Sequence, residues 1–430
     1  MEIFLIPIFI ILFSVLAYRK WSPILLGPTV ALLLVLATRL PVVETMLGPY
    51  MASSAGFIKN NFFVFFLGAI FGGVMEETNA AKSIAVWMSG VTKGKFVLPL
   101  IMTITGILAY GGVSGFVVYF AMYPIALHLC KEANISRFLI PGAIAAGCWT
   151  WAMSMPGAPS IPNIIAMKYL ETPATADIVG GFLFAGIFMY VMVFAYLEWQ
   201  HRRYAVRGMG FVSDSHVEEE MNRNDGKAMP HPLLALLPLC IILGLFNVFR
   251  IAIEISLLVG VLSGIALMYR YGGDREAWLS VGNKGAVNSA VVILNTAMVV
   301  GFAGVIRQTD AFSLLVDSLG GFNLPPLIFV FVTVAVCAGA AASASGGMGV
   351  ALEAFSKIYL SLGISPEIIH RVAVISVGTL DSLPHAGGQI TLLNICRLTH
   401  KEAYSHMFVT QCVIPIIAVV ALIIWHSVGF

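Results

Sequence analysis

Leu380-Asp381-Ser382-Leu383-Pro384-His385 places a carboxyl, a hydroxyl and an imidazole within five residues. The surrounding stretch, 367–396, is otherwise apolar and long enough to cross a bilayer. Ionisable groups at that depth are costly and are functional hypotheses by default. Histidine titrates near neutral pH, and a carboxyl out of water titrates closer to that range. Asp381 and His385 are therefore the candidates to carry a proton. In the structural alternative, Asp381 caps the helix that restarts after Pro384 and His385 only donates a hydrogen bond. Glu353 is a weaker candidate, and Glu254 reads as interfacial.

A second interruption, Met155-Pro156-Gly157-Ala158-Pro159-Ser160-Ile161-Pro162-Asn163, breaks the apolar stretch 136–168. Its prolines remove amide donors and end the incoming helix. Two further apolar stretches carry small residues at their centres: Gly111-Gly112-Val113-Ser114-Gly115 and Ala342-Ser343-Ala344-Ser345-Gly346-Gly347. Irregular backbone cannot face lipid and is tolerated only inside protein or around a watery cavity. All four places are thus expected to line one central pocket. The helices restarting after the breaks would aim free amides and positive dipole ends at it, which suits an anion. The expected ligand contacts are Gly112, Ser114 and Gly115 at the first tip, and Gly157, Ser160 and Asn163 at the first break. Ser343, Ser345 and Gly346 are expected at the second tip, with Thr379, Ser382, His385, Gly387 and Gln389 at the second break. The pocket has almost no basic side chain, so one small carboxylate with hydroxyls fits better than a polyanion. The competing reading of the glycines is close helix packing.

The elements that must hold these residues follow from composition. Of 430 residues, 59% are hydrophobic and only 11% are charged, against about 25% charged in soluble domains. Mean hydropathy is +0.92. The chain reads as an all-α polytopic membrane protein, and a net charge of +2 excludes a nucleic-acid binder. A bilayer core needs about 20 apolar residues per helix. Candidate spans are 2–18, 23–40, 61–77, 177–198, 232–249, 251–269, 287–306 and 406–427, with 136–168 and 367–396 as broken spans. The stretches 96–130 and 326–360 read as re-entrant hairpins. With both termini outside, Arg19, Lys20, Lys93, Lys95, Arg202 and Arg203 fall in the cytoplasm with most other basic residues. Arg39, Lys59, Lys168, Arg250, Arg307, Lys357 and Arg371 fall outside, which satisfies the positive-inside rule. The first stretch lacks a basic start and a cleavage site, so it is kept as a span. The six cysteines show no close pair and read as small core residues. Most tryptophans sit near span ends; Trp149 and Trp151 could line the pocket or pack.

The halves resemble each other. Met75 to Ala80 aligns with Ile306 to Ala311, Gly111 to Gly115 with Ala342 to Gly346, and Ala133 to Ser136 with Leu362 to Ser365. Met155-Pro156 falls beside Leu383-Pro384, and the offset stays within 228 to 231. The expected organisation is a first repeat at 1–198, a cytoplasmic linker at 199–231 and a second repeat at 232–430. Five crossings per half make the repeats inverted, with a hairpin and a broken helix in each. Inverted repeats with broken helices are the signature of secondary transporters.

The segments 380–387 and 155–163 resemble the two broken-helix motifs of the gluconate permease family, within the ion transporter superfamily, and the similarity extends over nearly the whole chain. The family usually has Asn-Gly after the histidine, where this chain has Ala386-Gly387. The resemblance implies a proton-coupled importer of a small hydroxy-monocarboxylate such as gluconate or 3-hydroxybutyrate, working as an elevator within a homodimer in the cell inner membrane. No cofactor or metal is expected. Sodium coupling stays open, because unwound carbonyls with Ser and Asn could hold that ion. An intramembrane serine hydrolase using Ser382 or Ser114 with His385 is the enzyme alternative, set aside for lack of a nucleophile elbow.

Overall fold

The computed structural model describes residues 4–212, 217–218, 228–321 and 324–429, and among them every regular element is helical. The helices of the first half are α1 (Leu5–Tyr18), α2 (Pro23–Ala37), α3 (Val42–Glu77), α4 (Ala80–Thr92), α5 (Val97–Tyr110), α6 (Gly115–Glu132), α7 (137–154), α8 (Ile161–Leu170) and α9 (Ile178–Val206). Those of the second are α10 (232–248), α11 (Ile253–Tyr271), α12 (Arg275–Ile306), α13 (Asp310–Gly320), α14 (Pro326–Ala341), α15 (Ala344–Ser361), α16 (Pro366–Leu380), α17 (Gly387–Ile395) and α18 (His400–Ser427). Each helix of the first half thus has a counterpart of similar length nine places later.

Left-handed residues recur with the helices. Lys20 pairs with Arg250, Gly112 with Ala342, Asn134 with Gly363 and Glu171 with Arg397, at separations of 226 to 230 residues. A non-glycine residue at positive φ is uncommon, so the shared positions trace the same turns in both halves. Helix starts are set locally. Asp274, Thr309 and Ser343 accept hydrogen bonds from Ala277, Phe312 and Gly346 amides at 2.9, 3.2 and 3.3 Å, as N-caps do. Pro326 and Pro366 begin α14 and α16, where a missing N–H costs nothing.

Among the described residues, five helices are long and apolar enough to cross a membrane: α3, α9, α11, α12 and α18. Four shorter apolar helices, α1, α2, α10 and α14, accompany them. The outward faces are greasy: Leu25, Leu33 and Leu36 on α2 and Ile255, Leu258 and Leu262 on α11 are exposed. α3 begins 19 residues before the expected span and α12 begins 12 residues before its own, because polar first turns continue the helix. α9 likewise runs on to Val206, so the linker begins after it rather than at 199. Residues 213–216 and 219–227 of that linker lie outside the described residues.

Two bodies of packing organise the chain. α3 and α12 lie along each other, and each also packs on the other half's second helix, α11 or α2. Small residues permit this approach. A Cβ at Gly285 would meet the Ile70 backbone at 3.1 Å, and Tyr50 donates to the Met298 carbonyl at 2.8 Å. The hairpins (α5–α6, α14–α15) and broken helices (α7–α8, α16–α17) form the other body. There α6 packs on α17, and α15 packs on α8. The hairpin of each half thereby holds the restarted helix of the other.

Candidate functional site

The first break, residues 155–160, separates α7 from α8. Met155 turns to extended backbone and Gly157 takes φ +79°, which only glycine adopts without strain. Several of its irregular groups are answered from within the protein. The Gly157 amide donates to the Ala174 carbonyl at 2.8 Å, and Tyr110, at the end of the first hairpin arm, donates to the Pro156 carbonyl at 2.9 Å. Ser160 donates to the Met153 carbonyl at 3.0 Å. Asn163 is fully buried, and its amide donates to that carbonyl at 3.0 Å and to Ser160 Oγ at 2.8 Å. Its Oδ1 accepts from His370 Nε2 at 3.1 Å and Arg371 Nη1 at 3.4 Å. The Asn163 side chain therefore braces the break, and its hydrogen-bonding capacity is used up doing so.

Arg371 is the largest departure from expectation. Sequence places it on the outer side, but it is 0% exposed in the second turn of α16. The helix begins at Pro366, and its neighbours close over the guanidinium from every side. Arg371 donates to the Ser154 carbonyl at 2.6 Å and to the Ala176 carbonyl through Nη2 at 2.8 Å and Nε at 3.2 Å. Where almost no basic side chain is expected in the pocket, Arg371 is a buried cation beside the first break. Its neighbour His370 bonds Thr172 Oγ1 at 2.7 Å. Asp177, which pairs with His426 at 3.0 Å, lies within electrostatic range of the guanidinium. The rule that singles out Asp381 applies equally to Arg371, which belongs to the same apolar stretch, 367–396, but lies near its start.

The second break, 381–386, is built by the same logic. Tyr404 donates to the Ser382 carbonyl at 2.9 Å and His400 Nε2 to the Pro384 carbonyl at 3.0 Å. Ser382 Oγ donates to Asp381 Oδ1 at 2.9 Å. His385 is fully buried; its Nε2 donates to the Gly339 carbonyl at 2.9 Å, on the first arm of the second hairpin. With that proton committed, Nδ1 is a bare acceptor, and it has no partner among the described residues. The buried Gln389 Oε1, one helical turn on, also has none. Phe13 and Phe302 stand edge-on to the His385 ring at 6.2 and 6.4 Å. Ser382 and His385 each turn to a different partner, so they do not form a hydrolase dyad.

At the hairpin tips, Gly112 and Ala342 supply the left-handed turns. Ser343 Oγ lies 3.2 Å from Ser345 Oγ and accepts from the Gly346 amide. Ser114 and Ser345 are partly exposed, while Gly115 is buried against Trp149. Trp149 donates to Tyr119, and Trp151 stacks edge-on against Tyr190 at 5.5 Å, so both tryptophans pack. Thr379 bonds the Ser376 carbonyl at 2.6 Å, and Gly387 sits against Thr296 of α12. Glu353 is exposed on α15, away from the breaks.

The parts meet. Tyr110 joins the first tip to the first break, Arg371 joins the first break to α16, and a Cβ on Gly378 of α16 would stand 3.2 Å from the Met153 side chain. His385 then joins the second break to the second hairpin. These contacts link the breaks and hairpins in a series, and together they carry one partly buried carboxyl, one half-used imidazole, several hydroxyls and two helix N-termini.

The family model described as citrate transporter (CitMHS) matches residues 8–367. The chain belongs to the citrate transporter family. That family lies in the ion transporter superfamily, and its members are membrane transporters. The match runs from within α1 to the first residues of α16. The chain is also 33% identical over 475 aligned positions to the uncharacterized transporter YxjC of Bacillus subtilis, covering 98% of this chain and 99% of that protein. Among solved structures it is similar to the Alcanivorax borkumensis YdaH transporter, with a TM-score of 0.38 and 14% identity over 95% of this chain and 99% of that one. The gluconate permease likeness of the break motifs thus gives way to the citrate transporter family, whose model matches most of the chain.

Proposed function

We propose that this citrate transporter family member is a secondary active carrier that imports a small hydroxycarboxylate by proton symport. The observation that carries this is the second break: the partly buried Asp381 and the buried, bare Nδ1 of His385 lie four residues apart, in unwound backbone between two packed halves. A proton taken up there neutralises a buried charge, and cost falls when the group is neutral in transit. The recurrence of nine helices and four left-handed turns supports two repeats, 1–198 and 232–430, and an odd number of crossings in each makes them inverted. The hairpins and broken helices would slide as one block along the α3–α12 pair, within a homodimer in the inner membrane, with both termini outside. The substrate is a hydroxy acid: the family's name points to citrate, and the break motifs point to gluconate or 3-hydroxybutyrate. Hydroxyls and helix dipoles at the breaks suit the functional group these share.

The test is uptake into proteoliposomes of labelled citrate, gluconate and 3-hydroxybutyrate under an inward proton gradient without sodium. Accumulation of at least one, abolished by collapsing the gradient, is expected. Accumulation that requires sodium and ignores the proton gradient would replace the proton with sodium, a reading favoured by the unpaired Gln389 Oε1.

A further inference from the structure

A cavity of about 480 Å³ lies between α3, α6, α12 and the end of α17, within the range of about 300–1,000 Å³ usual for small-molecule sites. Ser280, Lys284 and Asn288 line it from α12. Their spacing of four puts them on one face of the helix. Asn394 and Arg397 line it from the opposite side. Two carboxylates border it, but both serve the protein. Glu76 Oε2 lies 3.1 Å from His128 Nε2, and Glu77 Oε1 accepts from the Gly273 amide at 3.0 Å. Lys284 makes no hydrogen bond or ion pair among the described residues.

The polar face of α12 does not stop at the cavity. Asn295 donates to Asn394 Oδ1 at 3.1 Å, and Thr296 and Thr391 share a hydroxyl bond of 2.6 Å. The Thr296 methyl lies 3.1 Å from where a Cβ on Gly387 would stand. A polar track therefore runs from the cavity along the α12–α17 contact to the second break. Asn394 and Ala386 are about 12 Å apart along the helix.

We propose that this cavity is a carboxylate vestibule, with Lys284 as its anchoring cation and Asn288 and Asn394 as neutral donors. A carboxylate released from the breaks is held there before it leaves on the cytoplasmic side. The proposal rests on the carrier reading above and on the orientation that places the start of α12 in the cytoplasm.

The experiment uses Ser280→Cys at the cavity wall, in a Cys240→Ser background that removes the exposed native thiol. A membrane-impermeant maleimide is expected to label the introduced thiol from the cytoplasmic face. Citrate, gluconate or 3-hydroxybutyrate should slow labelling several-fold, while sulfate at equal ionic strength should not. Lys284→Gln should abolish protection and Lys284→Arg should keep it. In exchange assays, Lys284→Gln should raise the half-saturating internal substrate concentration about tenfold, the low end for loss of a charge-assisted hydrogen bond, and leave the external value within about twofold. Equal protection by sulfate, meaning an adventitious ion only, overturns the proposal. So does undiminished protection in Lys284→Gln. Carboxylate protection of the Ser280→Cys thiol, together with wild-type protein that shows no gradient-driven uptake, would sink the carrier reading and leave the site standing. Gradient-driven uptake with no protection would do the reverse.

Discussion

Arg371→Met tests whether the buried guanidinium holds the first break. Methionine keeps most of the side-chain volume and removes every donor. Two carbonyls then lose a charged partner: Ser154, 2% exposed, and Ala176, fully buried. Asn163 Oδ1 keeps its bond from His370. An orphaned buried acceptor costs about 1–3 kcal/mol, so the pair costs about 2–6 kcal/mol. Removing a buried charge returns part of its desolvation, which makes the upper figure a ceiling. The assay is the apparent unfolding temperature of purified protein in detergent, with a fall on the order of 5–10 °C expected. Uptake should fall with it, because this side chain ties the loop at 171–177 and the end of α7 to α16, beside the links made by His370. Arg371→Lys keeps the charge but loses the fork, and should fall between the two. An Arg371→Met protein with unchanged unfolding temperature and full uptake would refute the reasoning. The carbonyls at 154 and 176 would then need no cation.

Asp381→Asn removes the ionisable group of the second break yet keeps an oxygen that can accept from Ser382. It should abolish proton-driven accumulation in vesicles and leave counterflow exchange running; normal accumulation would remove Asp381 from coupling. Gly347→Ala tests the packing of the second hairpin, since a Cβ there would press on the Ala338 backbone nitrogen at 2.5 Å, across the hairpin from it. Overpacking costs about 1–3 kcal/mol, so this variant should melt earlier than wild type, and an unshifted melting curve would mean the arms can part freely.

The residues with the strongest local signatures are legible in the sequence. Pro156, Pro159 and Pro384 fall in the breaks, because the ring removes a donor and clashes with the preceding turn, whereas Pro28, Pro124 and Pro238 sit inside helices. The hairpin turns at 111–114 and 342–343 show as small-residue clusters in apolar runs. The clusters expected at the tips are 111–115 and 342–347; the first arms end just before them, at Tyr110 and Ala341, and the second arms restart inside them, at Gly115 and Ala344. Family membership is legible only at the level of the superfamily. The break motifs are short, and short motifs do not separate sister families.

Pairing is not legible. Nothing in the chain says that the proton of His385 goes to Gly339, that Asn163 spends its whole amide on bracing, or that Trp149 and Trp151 pack. Most of those contacts join residues 30 to 208 positions apart. Sequence by itself determined which segments leave water and where their backbone must break, since hydrophobicity and proline act locally. Tertiary structure alone decided that Arg371 is interior and that Lys284 lines an open cavity. A charged side chain's surroundings are set by whichever helices fold back against it, and they have no trace in its own neighbourhood of sequence.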